Sequence, residues 1–139
     1  MWIKTTSMII IGICLYQGCI AQELNWSKTK NWKMYDMDPS HAINYHADTL
    51  HNFKSILLDD KIMKSYLSQA IIWPEEKYSM WMGLFVTTFE STDGKPRKIL
   101  FSTYGGFLFE AENKRYYELP AKVRDSCIKY FDQMISENF

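Results

Sequence analysis

Residues 97–112 read RKILFSTYGGFLFEAE, which predicts two antiparallel strands joined by a tight turn. β-Branched and aromatic residues, which favour strands, stand on both sides of the glycine pair. Gly105 and Gly106 suit a two-residue hairpin turn, because both central positions of a type I′ turn need positive φ. Tyr104 and Phe107 then flank the turn as cross-strand neighbours on one face of the sheet.

The segments on either side of this hairpin extend it into a four-stranded antiparallel meander. STDGKP has turn chemistry, and so, more weakly, does the pair Asn113–Lys114. The predicted strands are YSMWMGLFVTTFE (78–90), RKILFSTY (97–104), FLFEAE (107–112) and RYYE (115–118).

Two helices are predicted before the strands and one after them. Asp38 suits an N-cap and Pro39 the first helical position, Asp59–Asp60 begins a second helix, and Pro120 begins the last. Their apolar stripes are Ile43, Ala47, Leu50, Phe53 and Leu57; Ile62, Met63, Tyr66, Leu67 and Ala70; and Val123, Cys127, Phe131 and Met134. The sequence therefore predicts an α+β fold in the order α-α-β-β-β-β-α, as one domain over residues 38–139.

Residues 1–21 have the layout of a secretory signal peptide. MWIKTTS carries one positive charge, MIIIGICLY is a nine-residue apolar run, and QGCIA ends in small residues. A membrane span needs about 20 apolar residues, so the run is too short to be one. We expect an exported protein, periplasmic or extracellular, cleaved before Gln22, with lipid anchoring at Cys19 as the alternative.

Residues 22–37, QELNWSKTKNWKMYDM, form a polar segment with two isolated tryptophans. Trp26, Lys28, Lys30 and Trp32 share one parity, which fits a short strand. A tether that docks its tryptophans on the domain fits the segment equally well.

Composition excludes several classes of protein. The chain has 139 residues, enough for one domain, and is 47% hydrophobic and 16% aromatic, enough to bury a core. Its formal net charge is zero; without residues 1–21, which contain Lys4 and no acid, 15 basic and 16 acidic groups give −1. Nucleic acid is therefore not an expected partner. Cys127 is the one cysteine after residue 21, so no internal disulfide is expected.

The predicted sheet is apolar on both faces, whereas an antiparallel sheet is commonly solvated on one. If the two turns set the register, one face carries aromatic rings with small residues between them. Its members are Trp81, Gly83, Phe85, Thr87, Phe89, Leu100, Ser102, Tyr104, Phe107, Phe109 and Tyr116. Either helices or the N-terminal tryptophans cover this face, or it binds a partner or an apolar ligand.

Residues with catalytic or metal-binding potential are few. Asp48 and His51 lie one predicted helical turn apart and are weak metal-ligand candidates, since zinc sites need three or four ligands. A solvated polar stripe explains this spacing as well. Cys127 falls on an apolar stripe, where a free cysteine packs as a small hydrophobe. The sequence has no catalytic signature, and no cofactor is expected.

These observations favour an exported, non-enzymatic domain that binds another protein, such as a periplasmic inhibitor or an immunity-type protein. The expected anchors are Trp81, Phe85, Tyr104, Phe107 and Tyr116, because interfaces favour aromatic residues. A homodimer through the sheet is one form of this hypothesis. The alternatives are a carrier of a small apolar ligand on the aromatic face, and a metal-dependent enzyme that uses a helical His/Asp pair.

Overall fold

The computed structural model describes residues 24–72, 83–102 and 106–139, and one antiparallel sheet of seven strands organises them. The strands in the centre of the sheet are long, and the two edge strands are short. Their bounds are Lys30–Tyr35 (β1), Ser55–Leu57 (β2), Ile71–Ile72 (β3), Gly83–Glu90 (β4), Pro96–Ser102 (β5), Phe107–Glu110 (β6) and Arg115–Glu118 (β7).

The spatial order of the strands is β2-β1-β4-β5-β6-β7-β3. The prediction of a four-stranded meander is therefore wrong: β4 to β7 are neighbours in chain order, but β1, β2 and β3 enlarge the sheet on both sides. β1 pairs with β2 and β4, and β3 pairs with β7. The two additional edge strands are hard to predict, because two or three residues are too few to show a period of two.

Helices flank the sheet, so the mixed helix and sheet composition is confirmed, as is the C-terminal helix. The α-helices are Pro39–Ala42 (α1), Asp60–Leu67 (α2) and Ala121–Asn138 (α3), and two 3-10 turns span Trp26–Lys28 and Ala47–Asn52. The predicted pair of N-terminal helices is not matched. Where the first of them was expected, the chain forms α1, a 3-10 turn and the edge strand β2.

A buried lysine explains why residues 39–57 are not one helix. Lys98 on β5 is 2% exposed, and its Nζ donates to the carbonyls of Ala42 and Tyr45, each at 2.5 Å. In a continuous α-helix these carbonyls would accept from backbone amides four residues later. Instead the amide of Thr49 donates to His46 at 3.1 Å, the spacing of a 3-10 turn.

Strand β1 carries a bulge that α2 holds in place. The register of β1 against β4 shifts between Lys30 and Lys33, and Asn31 within the shift has φ of 55°. Asn tolerates this left-handed conformation better than most residues. The carboxylate of Asp60, at the start of α2, accepts from the amides of Asn31 and Trp32, both at 3.1 Å. The helix and the bulge therefore fix each other.

The larger core lies between the sheet and the helices, on what we call the helical face. The side chains of Phe85, Phe89, Ile99, Phe101, Leu108 and Tyr117 point from the sheet into it, and Trp32, Met34, Met63, Leu67, Val123, Cys127 and Phe131 complete it. Asp59 caps α2 by accepting from the amides of Lys61 and Ile62 at 2.8 and 3.0 Å. Within the described ranges, a helix with the length and hydrophobicity of a bilayer span does not occur.

Candidate interaction surface

The structure separates the predicted binding residues between the two faces of the sheet. Phe107 on β6 and Tyr116 on β7 are half-buried and lie on the face opposite α2 and α3, which we call the loop face. Phe85 lies on the helical face, is 3% exposed, and places its ring centroid 4.8 Å from that of Phe131. The expected grouping of Phe85 with the other two rings therefore does not hold. Trp81 and Tyr104 lie outside the described residues.

The register of β4 explains the position of Phe85. Residues 91–95 connect β4 to β5, and Glu90 pairs with Pro96. Odd-numbered residues of β4 consequently share a face with odd-numbered residues of β5, so Phe85 stands opposite Phe101. The predicted face combined odd residues of β4 with even residues of β5, and a slip of one residue exchanges the faces of a strand.

The register between β5 and β6 also differs from the expected one, but this difference moves no side chain to the other face of the sheet. Phe101 pairs with Leu108. A turn that placed Tyr104 opposite Phe107 would have put Phe101 opposite Glu110. The difference is two residues, and a shift of two leaves every side chain on its original face.

Residues 37–53 cover part of the loop face and enclose a second, smaller core. Its buried members are Tyr35, Ala42, Leu50, Val86 and Leu100, with Met37, Phe53 and Phe109 packed at its margin. The ring of Tyr116 lies against that of Phe109, with centroids 4.8 Å apart and planes inclined by 32°. Aromatic rings therefore continue from the covered part of this face on to β7.

Two large apolar side chains stand out from this covering segment. Ile43 is 51% exposed and Tyr45 is 42% exposed. The ring of Tyr45 meets that of half-buried Phe53 edge to face, at a centroid distance of 5.3 Å. We call Ile43, Tyr45 and Phe53 the apolar patch. Single exposed hydrophobic residues are ordinary, but a contiguous set rimmed by polar groups marks interaction sites.

Lys98 holds the apolar patch in place from below. Its two bonds reach the carbonyl of Ala42, next to Ile43, and that of Tyr45 itself. Burial lowers the pKa of Lys98, and the nearby carboxylate of Glu112 acts in the opposite direction. The backbone of Lys98 is fixed as well, because its amide donates to Glu112 Oε2 at 2.9 Å. The patch is thus anchored to the centre of the sheet.

The surroundings of the apolar patch are acidic. Residues 36–52 contain Asp36, Asp38 and Asp48, all exposed, and neither lysine nor arginine. Hydrogen bonds from Ser40, first from its hydroxyl and then from its amide, lower the pKa of Asp38. The covering segment therefore carries an excess of negative charge at neutral pH.

The weak metal candidates both line one groove, but no third ligand joins them among the described residues. Asp48 and His51 are at opposite ends of the second 3-10 turn, which borders a groove of about 250 Å³ on β1 and β4. His51 Nδ1 contacts the backbone carbonyl of Asp48, so this nitrogen is already engaged. Among the described residues, no three His, Cys, Asp or Glu side chains are grouped to hold a metal ion.

Cys127 lies in the core of the helical face and is 1% exposed. Burial raises the pKa of its thiol to about 12. Since the thiolate is the reactive form, this cysteine is not an activated nucleophile at neutral pH. The cavity beside it, between the sheet and α3, measures about 10 Å³, which is at most the space of one water molecule.

Sequence reasoning missed the two buried charges and the exposed pair. Lys98 has the parity of Leu100 within β5, and Glu110 has the parity of Leu108 within β6. Each charged side chain therefore had to point to a covered face of the sheet, and this shared parity is visible in the sequence. Ile43 and Tyr45 were hidden by the expectation of a continuous helix.

No protein-family model matches the sequence, and comparisons with curated proteins and with solved structures give no match either.

Proposed function

We propose that this chain is an exported, non-enzymatic domain that binds another protein, in the manner of a periplasmic inhibitor or an immunity-type protein. Export rests on the layout of residues 1–21, with cleavage before Gln22 or lipid attachment at Cys19. Protein binding rests on a single observation, the exposed apolar patch anchored by Lys98. Tyrosine at the centre of a patch is typical of interface anchors.

The charges around the patch indicate the chemistry of the partner. Residues 36–52 contain three aspartates and three histidines but neither lysine nor arginine, and Lys54 follows Phe53. Interfaces bring potentials of opposite sign together. The expected partner surface therefore has an apolar pocket for Ile43 and Tyr45, surrounded by Lys and Arg. Phe107 and Tyr116 extend the proposed surface across the loop face.

Site-specific photo-crosslinking in the source cells tests this proposal. A photoreactive phenylalanine analogue at Tyr45 is expected to capture one protein, whereas the same analogue at Ile135 is not. Ile135 is a matched control, because it is 37% exposed but lies on α3, away from the patch. Adducts that are equal at both positions, or absent at Tyr45, contradict the proposal. An adduct of twice the chain's own mass identifies a second copy as the partner.

A point substitution supplies the second part of the test. Tyr45→Ser in the chain that carries the analogue at Ile43 should reduce the yield of the adduct at least about tenfold, since anchor residues contribute 2 kcal/mol or more. Ile135→Ser in the same chain should leave the yield unchanged. Intact mass of the exported protein decides separately between cleavage at Gln22 and lipidation at Cys19.

The two alternatives have less support among the described residues. The cavity next to α3 lies on the helical face and is too small for an apolar ligand, and the groove of about 250 Å³ beside the second 3-10 turn is lined mostly by polar residues. A metal-dependent reaction would need ligands beyond Asp48 and His51. Saturable binding of an apolar dye to the native monomer would revive the first alternative, and stoichiometric metal in purified protein would revive the second.

A further inference from the structure

Glu110 is a carboxylic acid within the larger core. It lies on β6 with 0% exposure, pointing to the helical face. Its Oε1 accepts from Asn113 Nδ2 at 3.3 Å and lies 3.7 Å from a guanidinium nitrogen of Arg97. Its Oε2 is buried and has no hydrogen-bond partner in the described part of the chain. A buried polar atom in this state costs free energy, so it calls for an explanation.

Trp26 lies across the position of Glu110. Its ring centroid is 6.0 Å from that of Phe89 on β4 and 5.2 Å from that of Tyr117 on β7. Ile99 on β5 and Glu110 on β6 are paired with each other between these two outer strands, on the same face. An indole that touches both outer rings therefore passes over Ile99 and Glu110.

A short N-terminal segment carries Trp26. In this turn the amides of Lys28 and Thr29 donate to the carbonyls of Asn25 and Trp26 at 3.0 and 3.2 Å. Trp26 is 8% exposed, whereas its neighbours Ser27 and Lys28 are exposed. Trp26 holds the turn on the sheet together with half-buried Leu24 and with Thr29, which is 1% exposed and whose hydroxyl accepts from Trp32 Nε1 at 3.1 Å. Local opening of such a short terminal segment costs less than global unfolding.

The charged groups around Glu110 come from two strands and two turns. Arg97 on β5 also pairs with Asp93 of the preceding turn at 3.5 Å, Arg115 on β7 stands directly opposite Glu110, and Glu112 lies in the turn that follows β6. Burial raises the pKa of Glu110, and this effect outweighs the attraction of Arg97. The carboxyl is consequently favoured in its protonated, neutral form while Trp26 covers it.

We propose that Glu110 and Trp26 form a pH-sensitive latch, in which loss of the Glu110 proton weakens the docking of residues 24–29 on the sheet. With Trp26 docked, a carboxylate at position 110 has no access to water. When Trp26 moves away from the sheet, water reaches the carboxylate, which lies next to half-buried Arg97 and exposed Asn113. Acid therefore closes the latch and alkali opens it.

Native-state hydrogen exchange tests the latch in the full mature chain. The reporters are the amides of Lys28 and Thr29, and the reference is the amides of β5. After correction for chemical exchange, the opening constant of the reporters should exceed that of β5. Above pH 4.5, the ordinary value for glutamate, it should rise with pH, by up to about tenfold per unit, because opening releases one proton.

Two variants and a control complete the test. Glu110→Gln keeps the shape of the side chain and should make the opening constant independent of pH, whereas Glu137→Gln, at an exposed site on α3, should behave as wild type. Trp26→Ala hydrates Glu110 in the folded state and should reduce the pH dependence of global unfolding. The wild type alone would overturn the latch in two cases. In the first, the reporter amides exchange only when β5 also opens; in the second, their opening constant does not change with pH. An unchanged pH response in Glu110→Gln would overturn it equally.

Discussion

Two buried charges on neighbouring strands determine much of the local structure. Lys98 on β5 faces the loop face and Glu110 on β6 faces the helical face, and both are almost fully buried. Lys98 satisfies two backbone carbonyls, whereas Glu110 keeps one oxygen without a described partner. The lysine is therefore a structural clamp, and the glutamate is the group that responds to pH.

We expect Lys98→Met to lower the free energy of unfolding by about 1–3 kcal/mol, because the carbonyl of Tyr45 loses the donor that Lys98 supplies and the carbonyl of Ala42 keeps only the amide of Tyr45. Urea unfolding measures this change. Lys95→Met, in the exposed turn before β5, is the control and should cost less than about 0.5 kcal/mol. Equal stability of both variants would show that Lys98 does not hold residues 42–45.

Two of the connections between strands contain a glycine with positive φ. Gly94 and Gly106 have φ of 72° and 68°. A Cβ at Gly94 would meet nothing within 4 Å, whereas one at Gly106 would lie 2.6 Å from Cδ of Arg124. The two positions share the backbone conformation and differ in the space around it.

Gly94→Ala should therefore lower the free energy of unfolding by about 1 kcal/mol, because alanine disfavours the left-handed conformation. Gly106→Ala should lower it further, because its Cβ also meets Arg124. The difference between the two melting temperatures measures the additional cost. Because Arg124 is flexible, Arg124→Ala combined with Gly106→Ala should bring the cost down to that of Gly94→Ala. If Gly106→Ala costs no more than Gly94→Ala, the contact with Arg124 has no energetic weight.

The sequence predicted elements better than it predicted their pairing. The C-terminal helix follows from a stripe of three- and four-residue steps, and Val123, Cys127 and Phe131 are buried as expected from it. The face of Phe85 was not predictable, because STDGKP does not reveal whether its connection has an odd or even length. The helix expected over residues 39–57 does not form, because Lys98, which is distant in the sequence, donates hydrogen bonds to the carbonyls of Ala42 and Tyr45.

For the whole molecule, opposite pKa shifts predict a maximum of stability in mild acid. Burial raises the pKa of Glu110, so the free energy of unfolding increases as pH falls from neutrality towards 4.5. The Ser40 and Ser91 hydroxyls lower the pKa values of Asp38 and Asp93 below 3.8, so stability is lost again as pH falls through those lower values. Urea unfolding at about pH 7.5, 5 and 3 measures both arms.

Glu110→Gln should remove the rise in the free energy of unfolding between neutral pH and mild acid. It should leave the decrease in stronger acid unchanged. Ser91→Ala should leave that rise unchanged and reduce the loss in stronger acid, because Asp93 loses the hydroxyl that lowers its pKa while Asp38 keeps Ser40. A wild type whose stability is the same at about pH 7.5 and 5 would contradict the assignment of Glu110.

The position of β1 has a consequence for how the chain is made. β1 lies between β2 and β4, and its Tyr35 pairs with Val86, 51 residues later in the chain (86 − 35). During synthesis the N-terminal half emerges with Trp32 and Met34 exposed and no strand on one side of β1. The two-stranded ribbon of β1 and β2 is too small to be stable alone. A nascent chain that stops before β4 is therefore a substrate for chaperones and proteases, and the protein acquires its fold only when its second half has left the ribosome.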